Sequence, residues 1–305
     1  DMLRACIVPC MFCIGAYIVI VSGGIDLSFP AIASLSSYVV IVSQIKSGLG
    51  GNINWGYFAC FIFGALLGCL NGILIGYYKL PSLIVTLGVS NLYWGIMLGP
   101  LNCTQHPLPA NLAAFARKFL FTVTDAKSGL SSPLHVSAIH LVIMVFITWI
   151  IMQKTMLGRG IYAIGGNIDA ASRLGFNVLA HTMFVYAFVG GLAGMIGYTR
   201  NILSNHLTPI FESGTELNII AGVVLGGVRI SGGVGTLTGA LFGTVFITVL
   251  SNSLLLMGVN SYWAEFATGL TILIGFSITA IQIVFEKKRK LSATQADNRE
   301  EEQDA

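Results

Sequence analysis

The sequence predicts an all-α integral membrane protein, a polytopic helical bundle. Three observations carry this. Of 305 residues, 55% are hydrophobic and only 10% charged, whereas a soluble domain carries about a quarter charged residues. Mean hydropathy is +0.81, and apolar runs long enough to cross a bilayer recur along the chain. Glycine numbers 36, and spanning helices use glycine for close backbone approach. A spanning β-barrel would show short alternating segments instead, and these runs are continuous.

From the N-terminus, nine apolar segments cover roughly 5–21, 29–45, 55–78, 82–100, 136–152, 182–199, 217–228, 235–257 and 262–285. They form a single transmembrane domain over 1–286. The first carries Cys6, Cys10 and Cys13 on one helical face, read as small apolar residues in a packed helix. SGGIDLSFPAIASL at 22–35 separates it from the second. Gly23 and Gly24 permit a sharp re-entry there. Asp26 and Ser28 stand where their oxygens meet free N–H groups of the next helix. The loop at 101–135 holds Pro107, Pro109, Pro133 and an apolar middle, NLAAFARKFLF, read as a short helix at the membrane interface. A full crossing takes about 20 residues, so 217–228 is a half-helix. The glycine-rich GGVRISGGVG at 226–235 then continues as a break covered by protein. The polar, acidic tail within 287–305 has too little apolar surface to fold.

Orientation follows from Lys and Arg. KKRK at 287–290 places the C-terminus in the cytoplasm. Counting back, Lys79, the stretch 153–181 and Arg229 share that side, which then holds 10 of the 16 basic residues. Residue 1 falls outside, so one further N-terminal helix would return the true N-terminus to the cytoplasm.

Several chemistries have no motif here. GxxxxGK[ST], HExxH and GxSxG are absent, so the chain lacks a phosphate-cradling loop of its own and reads as no enzyme. No CxxC pair or His-Cys cluster supports a metal, and His106, His135, His140, His181 and His206 are dispersed. The basic residues lack the aromatic interleaving of a nucleic-acid surface. Charge inside a bilayer is costly and marks function by default, but Asp26, Glu216 and Glu265 are too far apart in sequence to form a proton relay.

One stretch interrupts the pattern. GGNIDAASRLGFNVLAH at 165–181 is polar between two apolar spans and longer than a turn requires. Asp169 suits the start of a short helix by its charge, and Gly175 suits its end in a left-handed turn. Ala170 and Ala171 give a smooth surface that can seat in a groove. This is a docking element or a solvated inner loop.

Four segments together resemble one family. SGGIDLS, then LGRGIYAIGGNIDAASRLGFNV at 157–178, ELNIIAGVVLGGVRISGGVGTLTGALFG at 216–243 and SNSLLLMGVNSYW at 251–263 are similar, in order and spacing, to the permease subunit of ABC importers of the ribose, galactose and xylose type. The resemblance covers essentially the whole chain. SFP at 28–30 replaces the small Val-Gly usual after the first motif, which alters how the next helix starts. The family also begins with a cytoplasmic segment and one more helix, so the resemblance implies ten helices with one missing at this N-terminus.

The resemblance further implies an inner-membrane importer subunit that translocates a monosaccharide or similar small polar solute. ATP and Mg belong to separate cytoplasmic ABC ATPase subunits. These dock on residues 165–178 of the 153–181 loop, with Arg159, Gly165, Gly166, Asn167, Asp169, Ala170, Ala171, Arg173 and Gly175 as coupling residues. A second permease copy, identical or a close paralogue, and an extracytoplasmic solute-binding protein are the other partners, within membrane lipid. Asp26, Asn71, Asn91, Asn218 and Asn252 are candidates for the translocation path. Amides in spans also serve simply to hold helices together, and Asp26 reads equally as a helix cap. Arg117, Lys118, Glu212 and Glu216 are candidates for contact with the binding protein. The alternative is a self-contained secondary carrier or channel.

Overall fold

The computed structural model describes residues 2–48, 51–124, 131–210, 213–275 and Ser277. The expectations for Glu212, for KKRK at 287–290 and for the tail lie outside the described residues. The helices are α1 (Met2–Val21), α2 (Phe29–Lys46), α3 (Ile53–Gly72), α4 (Ser82–Leu98), α5 (Ala110–Phe115), α6 (Ser137–Lys154), α7 (Met156–Gly166), α8 (Ile168–Arg173), α9 (Val178–Ser204), α10 (Glu216–Leu225) and α11 (Leu237–Leu256). A last helix, α12, covers 261–275. A π-helical turn, Ile73–Tyr77, extends α3. Among the described residues, six helices are long and apolar enough to cross a membrane: α1, α2, extended α3, α6, α9 and α11. Each of the nine apolar segments contains a helix among its described residues, and the bundle is the all-α, polytopic one that composition requires. The half-helix is α10, ten residues long.

Residues up to Asn252 and those from Ser253 form two compact units. Within the first, α1 is the axis. It is apolar all round, the pattern of a helix enclosed by others. Met11, Cys13, Ile14 and Tyr17 are fully buried, and α6, α7, α9 and α10 pack around it. Pro30 sits in the first turn of α2, where a missing N–H costs nothing. SFP therefore starts the helix with proline in place of small residues. In the second unit, α12 exposes Tyr262, Trp263, Phe266 and Leu273, and Glu265 is exposed on it too.

The tightest helix pair is α3 with α9. A β-carbon at Gly64 would overlap the Gly190 carbonyl oxygen, and one at Gly190 would overlap that of Gly64. Gly68 meets the Tyr186 carbonyl and Gly194 that of Cys60 in the same way. Glycines four apart on both helices let the backbones touch, the main source of helix association where lipid removes the hydrophobic drive.

The loop at 101–135 departs from expectation. Its helix, α5, stops at Phe115, and the chain turns into an antiparallel hairpin of β2 (Phe119–Thr124) and β3 (Ser131–His135). FLFTVT is rich in aromatic and β-branched residues that favour strand, so the apolar stretch NLAAFARKFLF divides between helix and strand. His135 closes the hairpin. Its Nδ1 accepts from the Ser137 amide at 3.0 Å, and its Nε2 lies 3.2 Å from the Phe115 carbonyl oxygen. Those partners require the neutral Nε2–H form. Burial, aided by the charge of Arg4, holds its pKa below the ordinary 6.5. Lys118 and Arg117 are exposed beside it.

Two outcomes follow from this packing. Gly64→Leu should cost about 1–3 kcal/mol through overpacking and lower the melting temperature of the detergent-solubilised protein; an unchanged melt would remove the seam from the account. The unfolded chain binds a proton to His135 more readily than the folded one, so its contribution is present above pH 6.5 and lost as pH falls below that value. Hydrogen exchange at residues 119–124 should therefore quicken between pH 7.5 and pH 5 relative to the α1 amides, after correction for the intrinsic pH dependence, and should not do so in His135→Gln.

Candidate functional site

The polar interruption folds as an arm, α7 followed by α8. Thr155 starts it: its Oγ1 donates to the Ile151 carbonyl at 2.6 Å and accepts from the Gly158 amide at 3.3 Å. Gly158 is pressed on the last turn of α6, and Gly160 on the His181 ring at the start of α9. Side chains at either position would push α7 away. α7 buries Ile161 and Ile164 and exposes Arg159.

α8 has only six residues, too few to be stable alone. Its ends hold it. Asn167 Oδ1 accepts from the Ala170 amide at 2.9 Å, the N-cap bond. At the other end the Gly175 amide donates to Ser172 at 3.0 Å and the Phe176 amide to Ala171 at 3.1 Å. This paired arrangement requires a left-handed residue, and Gly175 has φ +88°. Asp169 lies in the first turn and Arg173 in the last, each at the end its charge favours.

The two alanines divide. Ala171 is 1% exposed, turned into the fold where α8 packs on α7 and α9; Ala170, Asp169, Ser172 and Arg173 face outward. The smooth outer surface is thus not built from both alanines. Instead Ile168 and Leu174, 57% and 76% exposed, bracket it. These two escaped the sequence reading, although apolar residues flanking Asp-Ala-Ala-Ser-Arg in a polar stretch were their signal.

The arm is joined to the bundle at a glycine junction. A β-carbon at Gly165 would overlap the carbonyl oxygen of Val21, the last residue of α1, and would lie 2.7 Å from the Gly233 nitrogen. The Gly233 amide donates to that same Val21 oxygen at 2.9 Å. A β-carbon at Gly233 would come within 2.6 Å of the Gly166 Cα. Above this, the Tyr17 and Tyr162 hydroxyls are hydrogen-bonded, and Tyr162 donates to the Gly235 carbonyl at 2.8 Å. One joint therefore ties the arm to the end of α1 and to the α10–α11 loop.

The break between α1 and α2 lies at the same end. Gly23, at φ +85°, ends α1 in the left-handed manner. The Ile25 and Leu27 amides donate to Ser82 Oγ and Thr86 Oγ1 of α4 at 3.0 and 3.1 Å. Asp26, 4% exposed, accepts on Oδ1 from the Ser28 amide at 2.7 Å and the Ser28 hydroxyl at 2.6 Å. Its bonds go to the residue before α2, so it shapes the turn and does not cap the helix itself. Asn71 Nδ2 donates to Ser28 Oγ at 2.7 Å. The structure thus brings Asp26 and Asn71 together. Asn91 is exposed on α4 and Asn218 on α10. Asn252 bonds the Thr248 carbonyl within α11 at 2.8 Å, and Glu216 begins α10.

Residues 2–275 match the family described as branched-chain amino acid transport system / permease component. The autoinducer 2 import system permease protein LsrC of Salmonella choleraesuis is 29% identical over 86% of this chain and 72% of its own. The LsrC proteins of Yersinia pseudotuberculosis and Photorhabdus luminescens are 30% and 29% identical, over 86% of this chain and 71% and 76% of theirs. No solved structure matches.

The joint is open to test without any activity. Tyr162→Phe removes two hydrogen bonds worth about 1 kcal/mol each, and Gly165→Val forces backbone apart at a cost of about 1–3 kcal/mol. Both should raise hydrogen exchange in α7, α8 and residues 229–235 together. Exchange confined to the mutated helix would mean the three elements are not joined.

Proposed function

Since the chain belongs to the family of permease components of branched-chain amino acid transport systems, and resembles within it permeases of autoinducer 2 import, we propose that it is the membrane-spanning subunit of an ATP-driven importer for a monosaccharide or a sugar-like signal. The observation that carries this is the shape of α8: a short helix held at both ends, its polar and apolar residues outward, on an arm joined to α1.

ATPase subunits with bound ATP and Mg seat α8 between them. Asp169, Arg159 and Arg173 meet charged groups of the partner; Ile168 and Leu174 fill an apolar groove. Asn167 and Gly175 hold the helix rigid, so that movement of the ATPase moves the arm and does not simply bend it. Gly165 and Gly166 carry the movement into the end of α1 and the α10–α11 loop. The drive is differential binding of ATP by the two states, and about 5.5 kcal/mol takes an equilibrium from 1:99 to 99:1. Lys118 and Arg117 beside the hairpin, with Glu216 and Glu212, meet the binding protein that delivers the solute. A second permease copy completes the path, to which Asn91, Asn218 and Asn252 contribute. The chain itself hydrolyses nothing. The arm and the C-terminus face the cytoplasm.

The test is a pull-down with uptake in the same cells. A subunit bearing GxxxxGK[ST] should accompany the protein and be lost in Ile168→Asp/Leu174→Asp, which changes only exposed positions. Gly175→Pro cannot take φ near +88°. It should reach the membrane normally yet lower ATP-dependent uptake of labelled ribose or autoinducer 2 roughly tenfold, a typical coupling free energy. Normal uptake in Gly175→Pro would refute the coupling role, and uptake driven by an ion gradient without ATP would establish a self-contained carrier.

A further inference from the structure

Asp26 lies in the break between α1 and α2 and is only 4% exposed. Its hydrogen bonds come from Ser28 alone, the amide at 2.7 Å and the hydroxyl at 2.6 Å, and both go to Oδ1. Among the described residues Oδ2 receives none, and no Lys, Arg or His stands against the carboxyl. A buried carboxylate with no cation beside it is costly, and such a group commonly takes up a proton instead. The Ser28 bonds reduce that cost at one oxygen only.

The groups that surround it bring no positive charge. From α3 comes Asn71, fully buried, whose Nδ2 donates to the Ser28 hydroxyl oxygen at 2.7 Å. The Asn71 amide and the Asp26 carboxyl are therefore joined through one oxygen atom. From α4 come Ser82 and Thr86, engaged by the Ile25 and Leu27 amides. The titratable groups within electrostatic reach of Asp26 are two phenols, Tyr93 of α4 and Tyr186 of α9. The arm and the α10–α11 loop meet the break at Gly165 and Gly232: a β-carbon at Gly232 would lie 2.7 Å from both the Gly23 Cα and the Gly165 carbonyl oxygen.

Asn71 carries the complementary defect. Its Oδ1 is buried and accepts no hydrogen bond, although a buried acceptor nearly always has a donor. A carboxyl without a counter-charge and an acceptor without a donor thus stand on one hydrogen-bond chain, Asp26–Ser28–Asn71. One proton answers both. On Asp26 it removes the charge, and it turns an acceptor-only group into one that can also donate.

We propose that the break between α1 and α2 is a proton-binding site, in which the Asp26 carboxyl holds a proton while the joint is closed and releases it when the joint opens. The link to the joint is Gly23. A β-carbon there would lie 3.5 Å from the Gly165 Cα, and Gly232 packs on its other side. Moving the arm away from the end of α1 therefore uncovers the break and lets water reach the carboxyl. This is a single site and not a relay across the membrane. Proton binding by the closed joint does not rest on the importer reading; only a use for it in transport would.

The experiment compares the full-length protein in a maltoside detergent with Asp26→Asn, which keeps the size of the side chain and its Oδ1 acceptor but cannot ionise. Infrared difference spectra at neutral pH should show the C=O band of a protonated carboxyl that the variant lacks. If Asp26→Asn fails to fold, Asp26→Glu assigns the band by shifting its frequency. Release is read by hydrogen exchange. A group that holds its proton more tightly in the closed state than in the open one contributes stability that is lost as pH rises. After correction for intrinsic rates, exchange at residues 229–235 should quicken from about pH 6 to about pH 8.5, by up to about tenfold per pH unit, and should not do so in Asp26→Asn. Groups elsewhere are common to both proteins and cancel in the comparison. The absence of a protonated-carboxyl band, or exchange with the same pH dependence in both proteins, overturns the proposal. So does a melting temperature that sodium chloride raises over choline chloride in the wild type alone, which would put a metal cation in the place of the proton.

Discussion

The carbonyl oxygen of Val21 is where the helical ladder of α1 stops. A helix end buried in protein has no water to turn to, so its last acceptors must find donors elsewhere; Val21 is fully buried. Val21 finds the Gly233 amide, from a loop more than two hundred residues further on. That bond fixes how close α1 and the α10–α11 loop must come, and the distance leaves room only for glycine in the helix crossing beside them. Gly165 is that residue. The Tyr17–Tyr162–Gly235 connection then determines the angle at which α7 leaves the junction.

The proposed docking element rests on this arrangement. A six-residue helix has almost no stability of its own, so α8 depends on what holds it: a local asparagine cap at one end, a left-handed glycine at the other, and Ala171 tucked beneath against the rest of the fold. The outward side is the one proposed to meet a partner. It is short, charged at both ends in the sense its dipole favours, and flanked by Ile168 and Leu174. In the proposed coupling role, the arm must be stiff to transmit movement and must be anchored to something that can move. The junction meets the second requirement by joining the arm to α1, the helix around which the first unit packs.

Polar residues inside the bundle divide by what they satisfy. Asp26, Ser28 and Asn71 answer the broken backbone between α1 and α2, together with Ser82 and Thr86. These bonds are part of the fold's cost of interrupting a helix, and they explain why a carboxylate is tolerated there. Arg4 serves the fold too, through the Leu203 carbonyl at the end of α9.

Much of this was legible from residues near one another in the chain. The apolar runs, with a tenth of residues charged where a soluble domain usually carries about a quarter, pointed to a bilayer and a helical bundle. Gly23 and Gly175 marked helix ends because a left-handed turn is a property of one residue and its neighbours. Asn167 and Asn177 begin helices for the same local reason. The length of 217–228 sufficed to make α10 a half-helix. Other features required the tertiary structure. Nothing local says that Gly64 meets Gly190, that Gly165 meets Val21, or that Ala171 turns inward while Ala170 does not. Nor does it say that Arg4 reaches the end of α9, 199 residues away. A hydrogen bond at a helix end involves residues a few positions apart, so composition can announce it. A close approach between helices depends on where the whole bundle places two backbones, and the chain states only that glycine is available there.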